Sequence, residues 1–85
     1  MTWHIEWDEG ARKDLRSLDP SIQRKILRYI RERILEDPKL FGRELVGNKS
    51  GLRRYRIQDY RVIVRLEDQN LVVLVLAVGH RKEIY

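Results

Sequence analysis

The chain has 85 residues, 42% of them hydrophobic and 36% charged, with no cysteine. That size suits one domain with one modest core, too apolar to be disordered, and the missing thiols exclude disulfides, cysteine nucleophiles and cysteine-based zinc sites. The formal charge of +5 is local: Arg43 to Arg65 holds seven basic residues (Arg43, Lys49, Arg53, Arg54, Arg56, Arg61 and Arg65) against Glu44 and Asp59, while the other eleven basic and eleven acidic residues cancel. A cationic patch on a small domain is the footprint of a polyanion partner, with solubility alone as the competing reading.

The start of the chain, Met1 to Glu6, has neither the basic start nor the apolar stretch of a signal peptide. The longest apolar run, Leu71 to Val78, has eight residues, against the roughly 20 that a membrane span needs. A soluble, cytoplasmic chain with no membrane partner is expected. His4 and His80 lack ligand spacing, so neither a metal nor a cofactor is expected.

Trp3, Ile5 and Trp7 alternate with His4 and Glu6, which predicts a half-buried strand. Asp8 is placed to cap a thin amphipathic helix whose stripe is Ala11, Leu15 and Leu18. Asp19-Pro20 breaks it and starts a second helix, with aspartate as cap and proline in the first turn. Ile22, Ile26, Ile30 and Ile34 carry that helix to about Glu36, before Asp37-Pro38 disfavours the α region. Its basic residues, among them Arg24, Lys25, Arg28, Arg31 and Arg33, read first as a solvated face. Residues 39–50 are irregular, with Leu40, Phe41, Leu45 and Val46 expected under the sheet edge.

Three strands follow. Leu52 to Ile57 turns Arg54 and Arg56 to one side and Tyr55 and Ile57 to the other. After the turn Gln58-Asp59, Tyr60, Val62, Val64 and Leu66 share one face, and Arg61, Ile63 and Arg65 the opposite one. A polar loop, Glu67 to Asn70, leads to Leu71–Val78, apolar throughout, which suits a central strand beside the first one. The expected fold is α+β, in the order β-α-α-β-β-β. Two helices cover one face of an antiparallel sheet of about four strands, in a single domain. Arg54, Arg56 and Arg61 then lie on the open face.

These residues resemble the RelE/ParE toxin superfamily of bacterial toxin–antitoxin systems. The likeness is carried by Tyr55-Arg56-Ile57, Asp59-Tyr60-Arg61-Val62-Ile63 and Val78-Gly79-His80-Arg81-Lys82-Glu83-Ile84-Tyr85, with support from Arg12-Lys13-Asp14-Leu15-Arg16-Ser17-Leu18 and Leu45-Val46-Gly47. Their combination points to the RelE branch. The resemblance implies a ribosome-dependent mRNA interferase that cuts the A-site codon and inhibits translation. Its partners would be the ribosome with its mRNA and rRNA, a small RelB-like antitoxin, and operator DNA only through the antitoxin complex. By the same resemblance, Arg54 and Arg56 occupy the first hairpin strand's basic positions, Arg61 and Arg81 are the catalytic arginines, and Tyr85 is the C-terminal tyrosine. Arg53, Arg65, Lys49 and Lys82 extend the expected phosphate-binding set.

Metal-free RNA cleavage needs a base for the 2′-hydroxyl, stabilisation of charge on the phosphoryl oxygens and a proton for the 5′-oxygen. Guanidinium groups suit the second task. Arg54 and Arg56 stand where lysines are common in the family, and arginine is a poor proton acceptor. They therefore read as phosphate clamps. His80 has an ordinary pKa that fits a base, with Glu83 as a second candidate and a surface histidine as the plainer reading. Tyr85 could stack on a base or move a proton. Two other readings stay open: a ParE-like toxin that blocks gyrase without nuclease chemistry, and a non-catalytic nucleic-acid-binding domain.

Overall fold

A computed structural model describes residues 2–47 and 51–80. In chain order they form β1 (His4–Trp7), α1 (Glu9–Arg16), α2 (Pro20–Tyr29), a π-helical turn (Ile30–Ile34), β2 (Arg43–Glu44), β3 (Leu52–Ile57), β4 (Tyr60–Glu67) and β5 (Val72–His80). The strands make one five-stranded sheet in the order β1-β5-β4-β3-β2.

The helix starts follow their caps. The Asp8 carboxylate accepts from Gly10 N at 3.1 Å. Asp19 accepts from the Ser21 hydroxyl at 2.6 Å, and Pro20 opens α2. Ala11 and Leu15 on α1 and Ile26, Ile30 and Ile34 beyond it are buried. They pack on Tyr55, Val62, Val64, Val73, Val75 and Val78 of the sheet, with Ile5, Trp7 and Leu18 at the margin. α1 lies over β5, where the Asp14 carboxylate accepts from Val78 N at 3.2 Å.

Four features depart from the expectation. First, the sheet is mixed rather than antiparallel, because β1 runs parallel to β5. Tight turns force antiparallel pairing on β3, β4 and β5, but no hairpin fixes the direction of β1. Second, the two-residue β2 pairs with Arg53 and Arg54 of β3, a strand too short to show alternation. Third, the α-helix stops at Tyr29, and Leu35 N reaches back to Ile30 O at 2.9 Å. Isoleucines spaced four apart drift by roughly 40° per step on a helix of 3.6 residues per turn. The wider π turn takes up that drift and keeps Ile34 in the core. Fourth, Leu40 and Val46 are 69% and 85% exposed rather than tucked under the sheet.

β4 and β5 also slip register: Ile63 pairs with Ala77 and Val64 with Val75, which leaves Leu76 as an extra residue. This bulge changes which residues of β5 face the helices. Val73 and Val75 do so before it, Val78 after it.

Candidate nucleic-acid interface

The arginines reach the helix-free face by strand alternation. Register sets Arg54 opposite Arg43 on β2 and opposite Ile63 on β4. Arg56 lies directly across from Arg61. On its other side Arg61 faces Gly79, which contributes no side chain there. Arg43, Arg54, Arg56 and Arg61, with Gly42 and Tyr29, line a cleft of about 390 Å³. Arg54 and Arg61 are half-buried and Arg56 is exposed, with its Nε donating to Gln58 O at 3.2 Å. Four guanidinium groups around one opening make a receptor for phosphate oxygens, each able to grip two at once.

The cleft's outer wall is fixed from the other face of β3. Arg53 and Tyr55 point to the helix side and hold the connection before β2. Arg53 donates to Phe41 O and Lys39 O, both at 2.9 Å, and the Tyr55 hydroxyl donates to Pro38 O at 2.6 Å. Burial pushes the Tyr55 phenol up to about 12, keeping it a neutral donor. The connection ends at Gly42, whose φ of +74° and closeness to β3 let Arg43 enter the sheet beside Arg54.

Of the residues expected at the site, the fold brings Arg54, Arg56 and Arg61 together. Arg53, expected among the phosphate binders, spends its guanidinium on loop carbonyls of the opposite face. Arg65 shares the arginine face but sits four residues further along β4, opposite Leu52, roughly 13 Å away at strand spacing. It lies 3.9 Å from Glu67.

His80 is off the arginine face. Simple alternation from Val73 would set it beside Arg61, but the bulge turns it to the helix side. There it pairs with Tyr60, and the two rings meet edge to face at 5.5 Å. Lys49, Arg81, Lys82, Glu83 and Tyr85 lie outside the described residues. Sequence reasoning left Arg43, Gly42 and Tyr29 out of the site. The signal for Arg43 was its place in the cationic stretch, and nothing local marked the other two. Among the described residues, no group of acidic, histidine or cysteine side chains could hold a metal ion. No helix among them is long and apolar enough to cross a membrane.

Residues 5–85 match the family model of the ParE toxin of the type II toxin–antitoxin system parDE. The chain belongs to this family, within the RelE/ParE toxin superfamily. The toxin is similar to Toxin RelG of Mycobacterium tuberculosis, at 28% identity over 85 residues, covering all of this chain and 98% of the relative. It is equally similar to the mRNA interferase toxin RelE of Escherichia coli, at 28% over 88 residues, covering all of this chain and 92% of that protein. Among solved structures, a chain of the RelBE2 toxin–antitoxin complex of Mycobacterium tuberculosis superposes with a TM-score of 0.90 at 26% identity, covering 95% of this chain and 100% of that one. A free-state mutant of Escherichia coli RelE gives 0.82 at 25% identity, covering 98% and 87%. The RelE-like α+β fold anticipated for the toxin is therefore its fold, with five strands in place of about four.

Proposed function

We propose that this toxin is a ribosome-dependent mRNA endonuclease that cuts in the A-site codon and so inhibits translation. The cleft formed by Arg43, Arg54, Arg56 and Arg61 carries the reading, and two relatives named mRNA interferase support it. In the reaction the 2′-oxygen attacks the adjacent phosphorus while its proton passes to a base. The bond from phosphorus to the 5′-oxygen breaks, and that oxygen takes up a proton. The products are a 2′,3′-cyclic phosphate and a 5′-hydroxyl. Arg61 neutralises the charge that grows on the phosphoryl oxygens, and Arg54 and Arg56 clamp the flanking phosphates. Arginine does not accept protons at neutral pH, so the base lies elsewhere. On the family resemblance Arg81 supports Arg61 and Tyr85 orients a base. An antitoxin of the RelB type is the expected partner, as in the complexes whose toxin chains resemble this one. Binding of operator DNA belongs to that toxin–antitoxin complex.

Primer extension on translating ribosomes tests this. A cut inside the A-site codon is expected, and Arg61→Ala should slow it by on the order of 10²–10³. Absence of any cut, together with blocked supercoiling by gyrase, would instead support the second reading, a gyrase-directed toxin. The matching ParE family model favours that alternative.

A further inference from the structure

β2 pairs only with Arg53 and Arg54, so the outer edge of β3 from Tyr55 to Ile57 has no strand beside it among the described residues. Across that edge lies a second open cleft, of about 290 Å³, between β3 and α2. Lys25, Arg28, Arg33 and Arg56 line it together with Tyr29, and Glu32 places a single carboxylate at its wall. Tyr29 and Arg56 also line the arginine cleft, so the two openings adjoin at these side chains.

A plain solvated helix face does not account for this second cleft. From Pro20 to Ile34 the chain carries Arg24, Lys25, Arg28, Arg31 and Arg33 against Glu32 alone, whereas α1 sets Arg12, Lys13 and Arg16 against Glu9 and Asp14. Glu32 contacts Arg31 at 4.0 Å, and no carboxylate among the described residues pairs with Lys25, Arg28 or Arg33. Arg33 is also preorganised. The π turn delivers its guanidinium 5.4 Å from the Tyr29 ring centre and 5.8 Å from that of Phe41. Those two rings are themselves packed edge to face. A guanidinium held near aromatic rings by cation–π attraction still has N–H groups to offer a phosphate.

We propose that this second cleft binds an RNA phosphodiester backbone. Lys25, Arg28 and Arg33 take phosphates there, and the strand crosses the β3 edge at Arg56 from the arginine cleft. The inference rests on the RNA reading of the first cleft and extends it from the cut site to flanking nucleotides. The backbone could come from the message or from ribosomal RNA, and the test separates the two.

The test compares Lys25→Ala/Arg28→Ala with the unaltered toxin. Both side chains are exposed and unpaired among the described residues, so the fold is preserved, which circular dichroism checks. Arg33→Gln is a second variant, and Arg12→Ala/Lys13→Ala on α1 a control expected to change nothing. Two probes are titrated: a short single-stranded RNA 2′-O-methylated throughout so that it cannot be cut, and vacant ribosomes. The double variant should bind at least one probe on the order of tenfold more weakly. If the oligonucleotide is affected, its log–log salt dependence should flatten by roughly 1.4 for two lost contacts. Loss on the oligonucleotide assigns the cleft to message, and loss on ribosomes alone assigns it to ribosomal RNA. If the double variant and Arg33→Gln both bind the two probes as the unaltered toxin does, while Arg54→Ala/Arg61→Ala weakens them, the second cleft is overturned and the first stands. If Arg54→Ala/Arg61→Ala also changes nothing, the RNA reading fails at its source.

Discussion

Gly42 shows how single residues hold the cleft open. A Cβ added there would lie 2.5 Å from Arg54 O and 2.7 Å from the Tyr55 ring, on a backbone with φ of +74°. Gly42→Ala should therefore destabilise the toxin by about 2–4 kcal/mol, from overpacking and left-handed strain together. Equilibrium urea unfolding measures this, and a loss under about 0.5 kcal/mol would mean that the connection yields freely. Tyr55 beneath it makes a pH-dependent contribution. Its phenol is pushed up to about 12, first by burial, while an unfolded tyrosine titrates near 10. The raised value favours the neutral form in the fold. Its contribution is thus complete below pH of about 10 and lost as pH rises through about 12, a total of roughly 2–3 kcal/mol. Tyr55→Phe leaves Pro38 O without its donor and should cost about 1–3 kcal/mol at neutral pH. The gap between the two proteins should narrow when unfolding is measured at pH of about 11. A gap that stays constant would show that the phenol does not titrate with unfolding.

At the scale of elements, the β3–β4 hairpin carries a correctable strain. Ile57 pairs with Tyr60 across a two-residue turn, and Gln58 alone of the two turn residues has positive φ, at 56°. Turns of that kind prefer glycine at the first position. Gln58→Gly should relieve about 1–2 kcal/mol of strain and lose part of it to chain entropy. The expected net gain is about 1 kcal/mol, a rise of roughly 4–8 °C in Tm by calorimetry; an unchanged or lower Tm would refute the strain. Elements with local causes were legible in the sequence. Asp8 and Asp19-Pro20 announce their helices, and alternation put Arg54, Arg56 and Arg61 on one face. What stayed hidden were features set by neighbours. The π turn and the Leu76 bulge are single-residue adjustments to packing, and the bulge is what carries His80 away from Arg61. Alternation set Arg53 on the Tyr55 side of β3, yet its place in the cationic stretch read as phosphate binding. Only the loop carbonyls above it decide its role.

Over the whole molecule, the charge that suits the cleft to RNA works against the fold. The register sets Arg43 across from Arg54 and Arg56 across from Arg61, and like charges directly opposite each other in a sheet are destabilising. With the rest of the chain neutral on balance, this repulsion is concentrated where a polyanion would relieve it. Arg56→Thr removes one cation from such a pair, supplies a good strand former and gives up only an exposed hydrogen bond to Gln58 O. It should raise stability by roughly 0.5 kcal/mol at low salt. The gain should shrink as ionic strength approaches about 0.1 M, where the screening length falls to about 10 Å. A short uncleavable RNA should reverse the order, raising the Tm of the unaltered toxin more than that of the variant, because a ligand stabilises the state that binds it better. Thermal unfolding with and without RNA, at two salt concentrations, reads both effects. A variant less stable than the parent at low salt would show that the paired arginines are accommodated without strain. Equal RNA-induced shifts would remove Arg56 from the binding surface. Seeing both expected effects together would identify the arginine face as a surface kept for function at the expense of stability.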